Sequence, residues 1–406
     1  MATLVIAGMP AAGHVNPTLP VVAELTRRGV DVTYAADAEF ADRITGAGAR
    51  FVPYPVDVLT SRDIAAATAS GSSVAVVARI LRATTALAPF LVDLLRAGPP
   101  AALLHDSNAL WGRIAARTVG LPTISFMTTF FVGTAAMRAL SLRESLTVAG
   151  PGLRDLPAAV RGRRAVLRRF GAGLVPRSPM LPMRGDLTVF GVPAELQPPD
   201  PRVDDSCHFV GTTTDPAAPT APLDPDLAAH LAGDGPVVLV SLGTLHSAGP
   251  AFFRACRDAL ADHPARVVLA TGGTDPAALG PLPANTVARR SVPQLAVLRR
   301  ASVFVTHGGM NSALEGIDAG VPLVVVPQQV EQFLIGQALA ERGAALVLRQ
   351  HLSHRPVPVD ALRGAVERAL TDPAPRTAAA ELAQRFRAGG GAARAADLIE
   401  HLLTAP

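Results

Sequence analysis

No lysine occurs anywhere in the chain; all 37 of its basic residues are arginine. That removes Schiff-base chemistry, a pyridoxal-phosphate anchor and the phosphate-binding lysine of a P-loop. Cysteine is almost as scarce. Cys207 and Cys256 cannot build a disulfide framework in 406 residues, and neither has ligand spacing to another cysteine. A reducing, cytoplasmic setting fits. Aromatic residues make up only 4%, too few for a base-stacking nucleic-acid platform. Charged residues are 17% against 49% hydrophobic, which excludes a disordered chain and supplies full-sized cores. The net charge of +4 is weak evidence for an anionic partner and none for a polyanion. Residues 118–137 run 20 positions without a charge, long enough to span a bilayer. Five threonines and the breaks at Gly120, Pro122 and Gly133 make a strand plus a helix the better reading, so no integral membrane segment is expected. Residues 1–8 lack a basic leader and read as a strand, not a signal peptide.

What is present is alternation. Short apolar runs at residues 4–8, 31–36, 50–54, 101–106 and 123–127 are separated by helical stretches with their own start and stop residues. Asn16-Pro17 suits the start of a helix and Gly29 its end; Asp37 suits a cap. Repeated βαβ units imply a parallel sheet with helices on both faces. Residues 134–185 are Arg-rich and show no clear period, and 193–226 are crowded with Pro and Asp, with a linker expected from Asp215 onward. The alternation then restarts, with strands expected at 237–242, 266–270, 286–289, 303–306, 323–326 and 345–348. The tail, 360–403, reads as helical with a hinge at Gly389-Gly390-Gly391. The fold class is therefore α/β, two doubly wound parallel-sheet domains in tandem.

In open α/β sheets ligands sit beyond the carboxyl ends of the strands, and two facing sheets would put a site in the cleft between them. The polar residues just after strands are therefore the candidates. His14 lies where the first strand turns into a helix, and Asp106 ends the strand that begins near residue 101. In one parallel sheet these two ends can be neighbours; Asp106 would then accept one imidazole N–H and leave the other nitrogen as a base. In the second half, His307-Gly308-Gly309-Met310-Asn311-Ser312 runs from a strand into a helix. Its glycines permit close backbone approach, and the helix start offers N–H groups and positive dipole to a phosphate. Glu315, one turn on, suits ribose hydroxyls. Ser241-Leu242-Gly243-Thr244 forms a second anion loop, and Glu331-Gln332 places a carboxylate beside an amide, a pairing that suits a polyol.

Other features are discounted. Asp224-Pro-Asp226 has metal-site spacing but sits in the linker, where a turn and a cap are expected. His351 and His354 lack a third ligand, so no metal site is assigned. The five arginines between Arg161 and Arg169 read as a solvated helix face. No Gly-x-Gly-x-x-Gly follows the first strand, which leaves a dinucleotide fold without its fingerprint.

The motifs Gly13-His14-Val15-Asn16-Pro17, Leu104-His105-Asp106, Val240–Thr244 and Ser291-Val292-Pro293-Gln294 lie in both halves of the chain. So do His307–Ser312 with Glu315, Gly320-Val321-Pro322 and Glu331-Gln332. Together they resemble family 1 glycosyltransferases, in particular the bacterial macrolide and natural-product branch. The resemblance implies the GT-B fold: an acceptor-binding domain over 1–215, a nucleotide-sugar-binding domain over 216–385, and a C-terminal helix over 386–406 crossing back to the first. It implies inverting transfer of a hexose or deoxyhexose from UDP- or dTDP-sugar to a hydroxyl of a hydrophobic polyketide, macrolide or aromatic aglycone. No cofactor or metal is needed, no nucleic acid is a partner, and the enzyme is a monomer or homodimer.

By position, the resemblance makes His14 the base and Asp106 its orienting partner. His307, Asn311, Ser312 and Thr244 would hold the diphosphate, with Gly13, Ser241 and Gly309 also at the nucleotide sugar. Val292 and Gln294 would meet the nucleobase, Glu315 the ribose, and Glu331 and Gln332 the sugar. Trp111, Phe126, Phe130, Phe131 and Met137 are expected at the acceptor. Ser291 stands where the family often has an aromatic residue, which leaves UDP and dTDP both open; Glu331 stands where Asp is usual. Three other readings compete: a GT-B transferase for a lipid or cell-wall acceptor at the membrane, a nucleotide-sugar binding protein without transfer, and a nicotinamide dehydrogenase, which the missing dinucleotide fingerprint counts against.

Overall fold

The structure is a computed structural model and describes residues 2–133, 139–177, 181–214, 220–243, 249–353 and 355–404. Apolar runs flanked by turn residues form strands because a parallel strand covered on both faces can be apolar throughout. Seven of them build the first sheet: β1 (Thr3–Ala7), β2 (Asp31–Ala36), β3 (Arg50–Pro53), β4 (Ala102–Asp106), β5 (Thr123–Met127), β6 (Leu187–Phe190) and β7 (Cys207–Phe209). Their order is β3-β2-β1-β4-β5-β6-β7, with every pairing parallel. Six more build the second: β8 (Val237–Ser241), β9 (Arg266–Ala270), β10 (Thr286–Arg289), β11 (Val303–Thr306), β12 (Leu323–Val325) and β13 (Ala345–Val347), in the order β10-β9-β8-β11-β12-β13 and again all parallel. In each sheet the order reverses once, beside β1 in the first and beside β8 in the second. A reversal of this kind opens a crevice at the carboxyl ends.

The chain divides into two units. The first comprises Met1–Gly133, Ala149–Thr214 and Ala388–Pro406; the second comprises Thr134–Val148 and Asp215–Arg387. Within the first, the C-terminal helix Gly391–Thr404 packs on helix Leu19–Arg27, and Arg28 pairs with Asp397 and Glu400 at 2.7 Å each. The Gly389-Gly390-Gly391 run is a packed crossing, not a loose hinge. A side chain at Gly389 would lie 2.6 Å from the Val210 carbonyl, and the Gly391 N–H donates to that same oxygen at 2.7 Å. Segment 134–148, adjoining the first unit in sequence, belongs to the second. There Arg349 grips the Glu144 carboxylate through Nε and Nη2 at 2.8 and 2.6 Å.

Several expectations need correction. The aperiodic stretch 134–185 holds a 29-residue helix, Leu142–Phe170, with Pro151 and Pro157 inside it. A 25-residue helix, Ser73–Ala97, also escapes the pattern reading, as do the short β6 and β7. Ser73–Ala97, not 118–137, is the described helix long and apolar enough to cross a membrane; Ile80, Leu87, Leu91 and Leu95 along it are core residues of the first unit. Asn16 does not start the first helix. A turn of helix begins at Ala12, and Asn16 Oδ1 accepts instead from Arg43. Asp37, Gly29 and Gly120 act as expected at helix ends.

Candidate active site

β1 and β4 are hydrogen-bonded neighbours, with Ala7 opposite His105, so the residues leaving their carboxyl ends meet. Gly8 makes the exit possible. A side chain there would lie 2.7 Å from the Tyr34 ring, and its carbonyl accepts from Tyr54 Oη at 2.9 Å. The chain then enters the short helix Ala12–Val15, which carries His14. Its Nδ1 donates to Asp106 Oδ2 at 2.8 Å; the imidazole keeps 23% exposure while the carboxylate has 3%. Asp106 Oδ1 is fixed by the Asn108 N–H at 2.8 Å. A buried carboxylate on Nδ1 selects the tautomer whose basic nitrogen is Nε2. Gly13 is exposed on the same turn.

Thr128 was not anticipated. Its Oγ1 lies 3.2 Å from His14 Nδ1, just past β5, the strand beside β4. The rule that singled out His14 and Asp106, polar residues immediately after strands, extends to it. His105 points away from the pair and is fully buried. Desolvation pushes its imidazole down to about 4, and Nδ1 bonds to the Asp106 carbonyl at 2.9 Å.

In the second unit β8 and β11 are neighbours, with Ser241 opposite Thr306. The loops after them therefore lie side by side. Ser241 Oγ accepts from the Gly243 N–H at 3.4 Å. His307, 8% exposed, has glycine on two sides: a side chain at Gly243 would come within 2.8 Å of the imidazole, and one at Gly309 would overlap it. At Gly308, with φ +79°, a side chain would meet Val325 at 2.6 Å and the Gln332 carbonyl at 3.0 Å. These glycines thus make room for the protein's own groups.

Helix Met310–Asp318 follows, and no side chain caps its start. Asn311 and Ser312 sit half-buried on that first turn. Gln294 Nε2, from the helix that follows Val292-Pro293, donates to Glu315 Oε2 at 2.7 Å and lies 3.4 Å from Ser312 Oγ. Residues expected at base, ribose and phosphate thus form one cluster. Burial pushes the Glu315 carboxyl up, the Asp318 charge adds to this, and the Gln294 bond opposes it. Glu331 and Gln332 open helix Val330–Glu341. Gln332 directs Oε1 to the Gln328 and Gln329 N–H groups at 2.8 and 3.2 Å and is 5% exposed, so that oxygen caps the helix.

The aromatic residues expected at the acceptor are core. Trp111, Phe126, Phe130 and Phe131 are at most 1% exposed; Trp111 donates Nε1–H to Tyr54 Oη at 2.9 Å, and Phe131 lies under Arg202. Side chains so enclosed present no surface to a ligand. Met137, Thr244 and His354 lie outside the described residues. Asp224 caps helix Pro225–Ala232 through the Leu227 N–H, and His351 stands edge-on to Phe252. Among the described residues no group of three or more His, Cys, Asp or Glu could hold a metal ion.

The profile of the family described as UDP-glucoronosyl and UDP-glucosyl transferase matches residues 189–384. The demethyllactenocin mycarosyltransferase of Streptomyces fradiae is 33% identical over 405 residues, covering 98% of this chain and 85% of that one. The oleandomycin glycosyltransferase of Streptomyces antibioticus is 35% identical over 408 residues, covering 97% and 89%. Among solved structures, the calicheamicin glycosyltransferase CalG4 aligns over all of both chains with a TM-score of 0.75 and 31% identity. With its two reversing parallel sheets and its last helix returned to the first unit, the chain belongs to the UDP-glucoronosyl and UDP-glucosyl transferase family and is a glycosyltransferase of the GT-B fold.

Proposed function

We propose that the chain is an inverting transferase that needs no metal and moves a hexose or deoxyhexose from a UDP- or dTDP-sugar to a hydroxyl of a hydrophobic natural product. The observation that carries this reading is the 2.8 Å bond between His14 Nδ1 and the buried Asp106 carboxylate. An alcohol is too weak an acid to attack unaided. His14 takes its proton as the oxygen attacks the anomeric carbon, and Asp106 stabilises the imidazolium that forms. The departing nucleoside diphosphate gains charge, which the N–H groups and dipole at Met310–Asp318 offset, with Asn311, Ser312 and His307 as added donors. Glu315 and Gln294 hold the nucleoside, and Glu331 meets the sugar from a helix start that Gln332 fixes. Attack opposite the leaving group, in one displacement, inverts the anomeric centre. Relatives named for oleandomycin and demethyllactenocin support a macrolide or similar polyketide as the acceptor class.

The test uses UDP-glucose and dTDP-glucose with a panel of macrolide and aromatic aglycones, products read by mass spectrometry and anomeric configuration by NMR. His14→Ala should lower turnover by about 10²–10⁴-fold while UDP or dTDP binds as in the unaltered enzyme. Equal loss of nucleotide binding and turnover, or retention of configuration, would sink this mechanism.

A further inference from the structure

A cavity of about 310 Å³ opens in the first unit beside helix Leu110–Val119. Four arginines reach it: Arg113 and Arg117 from the helix, Arg184 from the segment before β6, and Arg202 from the segment before β7. Three of them have carboxylate partners. Arg117 pairs with Asp186 at 2.6 Å, Arg184 with Asp204 at 2.5 Å, and Arg202 with Asp200 at 2.8 Å. Arg113 pairs with no carboxylate among the described residues; its Nη1 donates to the Arg184 carbonyl. It is half-buried; burial and the charges of Arg117 and Arg184 hold its guanidinium below the usual range, with the Asp186 charge opposing.

One cavity therefore gathers four guanidinium groups against three carboxylates. That excess is costly. A desolvated cation beside like charges raises the free energy of the empty state. A single oxyanion offsets it. The planar guanidinium fork matches the spacing of phosphate oxygens, and Arg is the side chain best suited to such recognition in a partly dry site. The volume exceeds that of a bare phosphate, since a water's share of liquid is about 30 Å³.

We propose that this cavity binds a phosphate-class oxyanion, free or as a monoester, with Arg113 as its ion-pair partner. The cavity includes neither member of the His14–Asp106 pair. It is nonetheless joined to that strand end. Met183 lines it, donates its N–H to the Ser107 carbonyl at 2.7 Å and accepts from Ser125 Oγ at 2.7 Å.

The test is calorimetric titration of the intact chain with sodium phosphate at fixed ionic strength, UDP held saturating so that phosphate cannot report the nucleotide loop. The expected result is saturable binding, weakened tenfold or more by Arg113→Gln, with UDP affinity unchanged. A parallel titration with glucose 1-phosphate separates the sources: tighter binding assigns the site to a monoester, equal or weaker binding to free phosphate. Thermal melting checks that R113Q is folded. Should it not be, Arg113→Lys, which keeps the charge and loses the fork, must weaken binding in the same direction. No saturable phosphate binding, or binding untouched by the folded variant, overturns the proposal.

Discussion

Gly308 and Gly320 both adopt positive φ, at +79° and +68°, but their surroundings differ. A side chain added at Gly320 would meet nothing within 4 Å, whereas one at Gly308 would press on Val325 Cγ1 at 2.6 Å and on the Gln332 carbonyl at 3.0 Å. Gly320→Ala should therefore cost only the left-handed backbone penalty, about 1–2 kcal/mol. Gly308→Ala carries the same penalty plus overpacking of about 1–3 kcal/mol, because the blocking atoms belong to a buried strand and a helix backbone. For a unit of this size, each kcal/mol moves the melting temperature by about 2–4 °C. Calorimetric melting of both variants isolates the packing term as the difference between them. G308A should also lose nucleotide binding, since relief of the clash displaces the first turn of the helix that carries Glu331, while G320A should keep it. Equal melting temperatures with nucleotide binding intact in both would refute the close-packing account of this loop.

Three further outcomes follow from the same geometry. Bonds from Arg349 hold the Glu144 carboxyl down to about 2, burial opposing and Ser141 assisting. The folded value lies below the ordinary 4.5, so the contribution is present above about 4.5 and is lost as pH falls toward 2. Glu144→Gln should cost about 1–3 kcal/mol in urea unfolding at pH 7 and nothing near pH 2. Glu315 behaves oppositely. Its raised folded value means stability declines as pH rises through it, so Glu315→Gln should stabilise the protein at neutral pH yet weaken UDP or dTDP binding about tenfold in calorimetry. Finally, Cys256 is fully buried, with its thiol pushed up by desolvation, and Cys207 is half-buried. A thiol-reactive dye should label at most Cys207 in the native protein and both residues in guanidinium; rapid native labelling of Cys256 would contradict the packing of helix Gly249–Leu260.

Much of the architecture was legible because parallel strands leave a strong signature. Runs such as Val237–Ser241 are apolar throughout, and the turn residues after them are polar. The expected meeting of His14 and Asp106 needed only that β1 and β4 be neighbours, which they are. Long helices were harder to read. Leu142–Phe170 contains Pro151, Pro157 and three glycines, residues that read as breaks, although Leu142, Leu146, Leu153, Leu156 and Val160 recur at helical spacing along it. Ser73–Ala97 buries Ile80, Thr84, Leu87, Leu91 and Leu95 on one face, but alanines dilute the contrast and Pro89 inside it reads as a break. The aromatic residues near the acceptor region were ambiguous for another reason. Bulk and apolarity suit a pocket wall and a core alike, and only enclosure distinguishes them, as the Trp111–Tyr54–Gly8 hydrogen-bond chain shows.

Trp111 is the only tryptophan in the chain, and it is sealed inside the first unit. Intrinsic fluorescence excited at the red edge therefore watches one half of the molecule and is blind to the other. Emission from an indole so enclosed should be blue-shifted and poorly quenched by iodide until that unit opens. Circular dichroism, by contrast, sums the helices of both units. A denaturation curve followed by the two signals together would show, without any label or substitution, whether the two sheets come apart as one cooperative structure or in turn.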